Sequence, residues 1–410
     1  MTPDLHSRLR EIVDRNHAAQ VAFLAELVKV PSDNPPGDCE RHAARAAELL
    51  EARGFTVERH PVPAGLVRAN GMIGATNLIV RHRFGPGPVV GLNAHGDVVP
   101  PGEGWTADPY GAEIRDGTMF GRGVAVSKSD FATYAFALEA LRESGAALGG
   151  TVELHLTYDE EAGGAIGPGW LIGQGLVRPD FVVSAGFAYT VVVAHNGCLH
   201  LEVKVEGRSG HAAQPDTGVD ALEAATALLT SLYGLREGYR AIRSAVPGID
   251  HPTLVVGLIS GGINTNVVPD AVTLRIDRRI IPEEVPEQVE RDLVAHVEAA
   301  CAGMPGITVR TRRILLASPL APQPGQDRLV SVFQRHGRDV MGEDIPAGGV
   351  PLYTDARLYG EAGIPTVLYG AGPHSLAEAN GHRADENLVL DDLRKATRVV
   401  ASSLADLLTP

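Results

Sequence analysis

Cysteine is scarce: only Cys39, Cys198 and Cys301 occur in 410 residues, far apart from one another. No CxxC knuckle and no disulfide framework can be built from them. Each reads as a small buried apolar residue, and a reducing cytoplasm is the expected compartment. Basic runs are missing too. Lys and Arg number 36 against 50 Asp and Glu, a net charge of −14, which argues against a phosphate-backbone partner, so no nucleic acid is expected. No apolar run reaches the ~18 residues that a membrane span needs. The opening "MTPDLHSRLREIVDRNHAAQ" is charged and helical in period, unlike a signal peptide. What remains is a globular composition, 44% hydrophobic, in a chain long enough to predict two domains.

Leu9, Ile12, Val13, Val21, Leu24, Leu27 and Val28 recur at helical spacing. A second helix is expected over Arg41–Arg53, closed by Gly54. Strands then alternate with helices. "FTVERHPV", "TNLIVRHRF", "PVVGLNAH", "GGTVELHLTYDE" and "PDFVVSAGF" read as strands. "PVVGLNAH" is continuously apolar, as a strand buried on both faces should be. This grammar predicts an α/β sandwich with a largely parallel sheet. Near Asn196 the character changes. "CLHLEVKVEGRSGH", "TLVVGLISGG", "AVTLRIDRRI" and "ITVRTRRILL" surround two helical stretches, with period-2 alternation. That predicts an inserted antiparallel α+β domain. After Pro319 the α/β pattern returns.

In open α/β sheets ligands bind at the carboxyl ends of the strands. "PVVGLNAH" ends at His95 and Asp97. "TVELHLTYDE" ends at Asp159, Glu160 and Glu161. "GIPTVLYGAG" leads to His374 and His382. Imidazoles and carboxylates at three strand ends are the ligand mix of zinc or another divalent ion. His95 can ligate through one ring nitrogen while Asp97 holds the other. Of Glu160 and Glu161, one can bind metal while its neighbour activates water. His155 and His374 are expected to be satisfied core or surface residues. "GRGVAVSKSD", from Gly121 to Asp130, is neither a P-loop nor a dinucleotide fingerprint.

The segments "NAHGDVVPPGEGW", "TADPYGAEIRDGTMFGRG", "TYDEEAGG", "AHNGCLHLEVKVEGRSGHAAQPDTGVDAL", "NVVPDAVTLRIDRRIIPEE" and "TDARLYGEAGIPTVLYGAGP" resemble the zinc aminoacylase, glutamate carboxypeptidase, acetylornithine deacetylase and succinyl-diaminopimelate desuccinylase family. The likeness runs in order over nearly the whole chain. It implies a zinc-exopeptidase-like three-layer sandwich interrupted by a dimerisation, or lid, domain. The first part of the catalytic domain would span 1–196, the insertion 197–315 and the second part 316–410. It also implies a homodimer acting on a small-molecule amide or peptide. By the resemblance, His95, Glu161 and His382 occupy metal-ligand positions, with Asp97 behind His95. Glu160 matches the general base. His211, Asn266 and Arg279 match substrate contacts from the lid, His211 often reaching across the dimer.

Two positions depart from the family pattern. Its bridging aspartate falls at Val126, and a further carboxylate ligand falls at Ala185, or at Gly186 if the register slips by one. Aliphatic side chains do not ligate metal, so at most one divalent ion per chain is expected, or none. The leading reading is a hydrolase of an N-acyl amino acid, dipeptide or similar carboxylate-bearing amide. Two alternatives stay open: a metal-independent hydrolase or lyase using the His/Asp/Glu cluster, and a non-catalytic binder. Asp130, one helical turn beyond Val126, is expected to be a capping or surface residue, with a replacement ligand as the other reading. Ser127 and Lys128 could take new roles if no metal is used.

Overall fold

A computed structural model describes residues 4–409. They divide into two compact units. One takes the chain up to Val193, Pro322–Gly348 and Thr354 onward; the other takes Ala194–Ala321 and Gly349–Tyr353.

The first unit is built around an eight-stranded sheet. In space its strands run Val57–Pro61, Thr76–Arg83, Thr151–Thr157, Val89–His95, Phe181–Ser184, Thr366–Leu368, Val191–His195 and Ala347–Val350. The four strands from Thr151–Thr157 to Thr366–Leu368 are mutually parallel. The first three pair antiparallel. Val89–His95 sits in the parallel core, and Val90, Leu92 and Ala94 are buried, as its unbroken apolar run requires. Gly91 is needed there, because a Cβ would come within 2.9 Å of the His155 ring.

The helices Leu5–Val28, Lys128–Ser144 and Leu390–Leu407 pack on one another. Asp4 caps the first, its carboxylate accepting the His6 N–H at 2.8 Å. Lys128–Ser144 is buried on nearly all sides, which is why its sequence, "KSDFATYAFALEALRES", shows no clean polar face. It stops at Gly145, whose φ of 61° is the left-handed conformation of a helix end.

The second unit holds a four-stranded antiparallel sheet in the order Thr253–Gly261, Ala271–Ile280, Gly197–Glu206, Thr308–Ala317. Leu199, Leu201, Val203 and Val205 alternate with polar residues and are buried. They share a core with Leu228 and Leu232 of the helix Ala221–Tyr239, and with Leu293 and Val297 of Pro286–Cys301. The fold is therefore mixed α/β with a separate antiparallel sheet domain, the class that the strand–helix grammar predicts.

Candidate active site

His95 is the last residue of its strand, and Glu160 and Glu161 open a single 3-10 turn just beyond the neighbouring strand Thr151–Thr157. Parallel pairing of the two strands sets His95 opposite Thr157. One ligand atom each from His95, Glu160 and Glu161 lies within 4.8 Å of the others. The three side chains are 7%, 14% and 9% exposed. An imidazole and two carboxylates, largely withdrawn from water, form a donor set suited to a divalent ion.

Asp97 organises this cluster from behind. One of its carboxylate oxygens accepts the Glu160 N–H at 3.2 Å. The other accepts the Glu161 N–H at 3.1 Å and the Asn34 side-chain amide at 3.0 Å. His95 Nδ1 faces the main-chain oxygen of Asp97 at 2.9 Å, closer than the 3.4 Å to its carboxylate. The carboxylate thus orients the glutamate turn, while the Asp97 carbonyl holds the ring. His382 Nε2 lies 3.3 Å from Glu161 Oε1 and its side chain is half exposed. It meets the cluster through Glu161. Its φ of 63° is a left-handed conformation that non-glycine residues seldom adopt.

Charge follows from this packing. Burial opposes protonation of His95, yet Glu160, Asp97 and Glu161 outweigh it and raise its pKa well above the ordinary value. Burial raises Glu160 well above the usual carboxylate range; His95 opposes this, while Glu161, Asp355 and Asp97 add to it.

The loop Gly121–Ser127 beside the site carries an anion of its own. The N–H groups of Ala125 and Val126 donate to one carboxylate oxygen of Glu386 at 3.1 and 3.2 Å. Its other oxygen pairs with Arg122, and both side chains are 1% exposed. The N–H groups before a helix suit an anion, and here a side chain of the chain itself supplies it.

Asp130 departs from the capping or surface role expected of it. It is fully buried, and one oxygen accepts the Ala371 N–H at 2.8 Å. Its helix is preceded by Ser127, which makes no side-chain cap. Burial pushes the Asp130 carboxyl up to about 7, against the N–H groups of Ala371 and Gly186. The reason is tertiary: the buried face of Lys128–Ser144 covers this position. Gly370 leaves room for the carboxylate, since a Cβ there would lie 2.2 Å from Asp130 Oδ1. Ser127 Oγ contacts both the N–H and the carbonyl of His95. Lys128 Nζ donates to the carbonyls of Leu27 and Val30, and burial pushes it down to about 7.

His155 is a satisfied core residue, bonded to Tyr359 and Glu153. His374 is exposed, bonded to Glu378 and stacked on Tyr189. In the second unit, His211 is exposed, its Nδ1 accepting the Ala213 N–H, and the Asn266 carbonyl accepts the Ala212 N–H. Arg279 sends Nε and Nη2 to Asp277 and lies over the Tyr353 ring.

Asp355 escaped the sequence reading, and Asp159, noted there at a strand end, was given no role of its own. Asp355 is buried, pushed up to about 7 by burial and by Asp97, with His95 opposing. Asp159 is buried and accepts the Ile166 N–H at 2.6 Å. Gly164 and Gly167 make room for them, since a Cβ at either would meet a carboxylate oxygen at 2.2 Å. Gly167 lies close to Asp159 in sequence and could have marked it, but Gly164 is remote in sequence from Asp355, which no local signal marks.

Comparison with known proteins places this geometry in context. The model of peptidase family M20/M25/M40 matches residues 91–406. The chain belongs to that family. It is a hydrolase of this metal-dependent M20 class, and the His95 cluster is a candidate metal-ligand group within it. The M20 chain is 29% identical over 398 residues to a succinyl-diaminopimelate desuccinylase of Gluconacetobacter diazotrophicus, covering 93% of this chain and 95% of that one. It is 30% identical over 350 residues to an acetylornithine deacetylase of Proteus mirabilis, 83% of each being covered. Human carnosine dipeptidase 1 shares the fold with a TM-score of 0.78 at 18% identity, over 99% of both chains. A dinuclear metal binding peptidase from the M20 family of Bacillus subtilis superposes with a TM-score of 0.68 at 16% identity, over 96% of this chain and 99% of that one. Among the described residues, no helix is long and apolar enough to cross a membrane.

Proposed function

We propose that this M20 hydrolase cleaves the amide bond of an N-acyl amino acid, a dipeptide or a similar carboxylate-bearing amide, at a site holding at most one divalent ion. The observation that carries the reading is the His95–Glu160–Glu161 cluster, with both glutamates hung on Asp97. His95, Glu161 and His382 are the residues that would hold the ion. When bound, it supplies Lewis acidity that polarises the scissile carbonyl and makes water more acidic.

The chain's own groups do the rest. Glu160, its pKa raised by burial and neighbouring carboxylates, is suited to taking a proton from water and returning it to the leaving amine. Asp97 fixes the turn that aims it. Val126 and Ala185 offer no donor atom where the resemblance expects two carboxylates, which is why a single ion is proposed. A register slip does not supply one, since Gly186 is packed so closely that a Cβ would meet Leu368 at 2.8 Å. Arg279 and Asn266 suit a substrate carboxylate, the guanidinium through its paired donors, and His211 the scissile carbonyl. A homodimer through the second unit accompanies this reading. Val255, Leu258 and Ile259, on a strand at the edge of its sheet, are more than half exposed, and such an edge favours pairing with another chain.

The test pairs a panel of N-acyl amino acids and dipeptides with Glu160→Gln and with elemental analysis of protein purified without added metal. The reading expects turnover on a carboxylate-bearing amide, lost by about 10²–10⁴ in the variant, with one ion or fewer at the His95 cluster of each chain. Turnover surviving within about tenfold in Glu160→Gln removes the base assignment.

A further inference from the structure

Three side chains outside the candidate active site converge where the first and last helices meet a third. His6 lies in the first turn of Leu5–Val28, His336 in Gln326–Met341 and Asp406 near the end of Leu390–Leu407. His6 Nε2 is 3.1 Å from one carboxylate oxygen of Asp406, and His336 Nε2 is 2.6 Å from the other. The two rings are 4.7 Å apart. One ligand atom from each of the three residues lies within 4.8 Å of the others.

Two imidazoles with the same nitrogen aimed at one carboxylate exceed what a single helix contact needs. They form a two-nitrogen, one-oxygen donor set, the kind that borderline cations such as zinc prefer. We propose that His6, His336 and Asp406 bind a divalent cation of the zinc class, at a site distinct from the His95 cluster, and so tie the first helix to the last. The fourth position is left to water.

The surroundings permit this. His336 is buried, and burial lowers its pKa, although Asp406 opposes the shift; the ligating form of imidazole is the neutral one. The competing cation is Arg335, which also reaches Asp406. Its side chain is 58% exposed and can turn to solvent at little cost, as an exposed ion pair contributes little. Binding replaces the protons that the two Nε2 atoms share with the carboxylate, moving each to Nδ1 or to solvent. Nδ1 of both rings is buried without a hydrogen-bond partner, so the ligands lack the supporting contacts that strengthen a metal site. The ion should therefore be held more loosely than a structural zinc.

The test uses the full chain, stripped with chelator, titrated with zinc by calorimetry and followed by thermal unfolding. His95→Ala should still bind zinc, with a raised unfolding midpoint. His6→Ala should bind one ion fewer than the unsubstituted chain, and Asp406→Asn should behave like it. His336 is left intact because its burial makes a substitution there structurally costly. Equal stoichiometry in the unsubstituted chain and in both variants, all folded by circular dichroism, would overturn the proposal. So would the absence of zinc binding in folded His95→Ala.

Discussion

Asp97 accepts the main-chain N–H of Glu160 at 3.2 Å, across 63 residues of sequence. The neighbouring N–H of Glu161 reaches the other oxygen of the same carboxylate. The turn that presents both glutamates therefore hangs on one buried side chain, 0% exposed. A negative charge with two acceptor oxygens suits two adjacent N–H donors, and no neutral side chain of that size offers the same.

Asp97→Asn tests this. Its amide keeps the shape but has one acceptor oxygen, so an NH₂ group must face a main-chain N–H. The buried donor left unsatisfied costs about 1–3 kcal/mol, and the Glu160–Glu161 turn should shift. The expected outcome is a lower thermal midpoint together with a fall in kcat of about 10²-fold, the low end of what loss of a positioned base produces. Unchanged kcat in a folded variant would place the organising role elsewhere.

Glu386 offers a stability test away from the glutamates. Its pair with Arg122 is buried on both sides, at 1% exposure each, and it also accepts the Ala125 and Val126 N–H groups. Glu386→Ala leaves the Arg122 guanidinium without its counter-charge, left with the carbonyls of Pro101 and Arg383, and two N–H donors without a partner inside the protein. Removing one member of a buried pair costs about 3–5 kcal/mol. Urea unfolding should show a loss of that size, whereas Glu113→Ala, which breaks an exposed pair with Arg115, should leave the midpoint almost unchanged, because solvent screens such a pair.

Substrate recognition can be separated from chemistry at Arg279. Both of its donors to Asp277 lie on one edge of the guanidinium, leaving the remaining N–H groups for a ligand. Arg279→Lys keeps the charge but not the planar fork. On an N-acyl amino acid, KM should rise by about tenfold, or ~1.4 kcal/mol, with kcat nearly constant, the pattern of lost uniform binding. A fall in kcat at constant KM would give Arg279 a different role.

Metal count can be raised by design. Val126→Asp with Ala185→Glu restores donor atoms at the two positions where the resemblance expects carboxylates. Two cations a few Å apart repel without a shared anion between them. Elemental analysis should therefore show one additional ion per chain in the double variant, and chelator should remove metal more slowly from it. Two tightly held ions that persist in His6→Ala would mean that another carboxylate, with Asp130 the first candidate, already serves as the bridge.

Much of the molecule was legible before folding. The helix Leu5–Val28 and the strand Val89–His95 announce themselves through periodicity and continuous apolar character, because local burial patterns repeat along the chain. The meeting of His95, Glu160 and Glu161 was readable for a related reason: each stands at or just past the end of a recognisable strand, and strand ends are where an α/β sheet presents its ligand-binding residues. What periodicity could not show is which distant side chain would satisfy which buried group. The destinations of Asp97, Glu386 and Asp130 are main-chain N–H groups 63, 260 and 241 residues away. A carboxylate's local sequence does not reveal whether water or a remote amide will be its partner. Asp130 illustrates the limit: in sequence it sits at a helix start like a cap, and only packing of that helix on all sides drove it into the interior. Sequence pattern decided the elements and the strand-end residues. Tertiary burial decided which charges had to find partners, since an unsatisfied polar group is costly only once water has been removed.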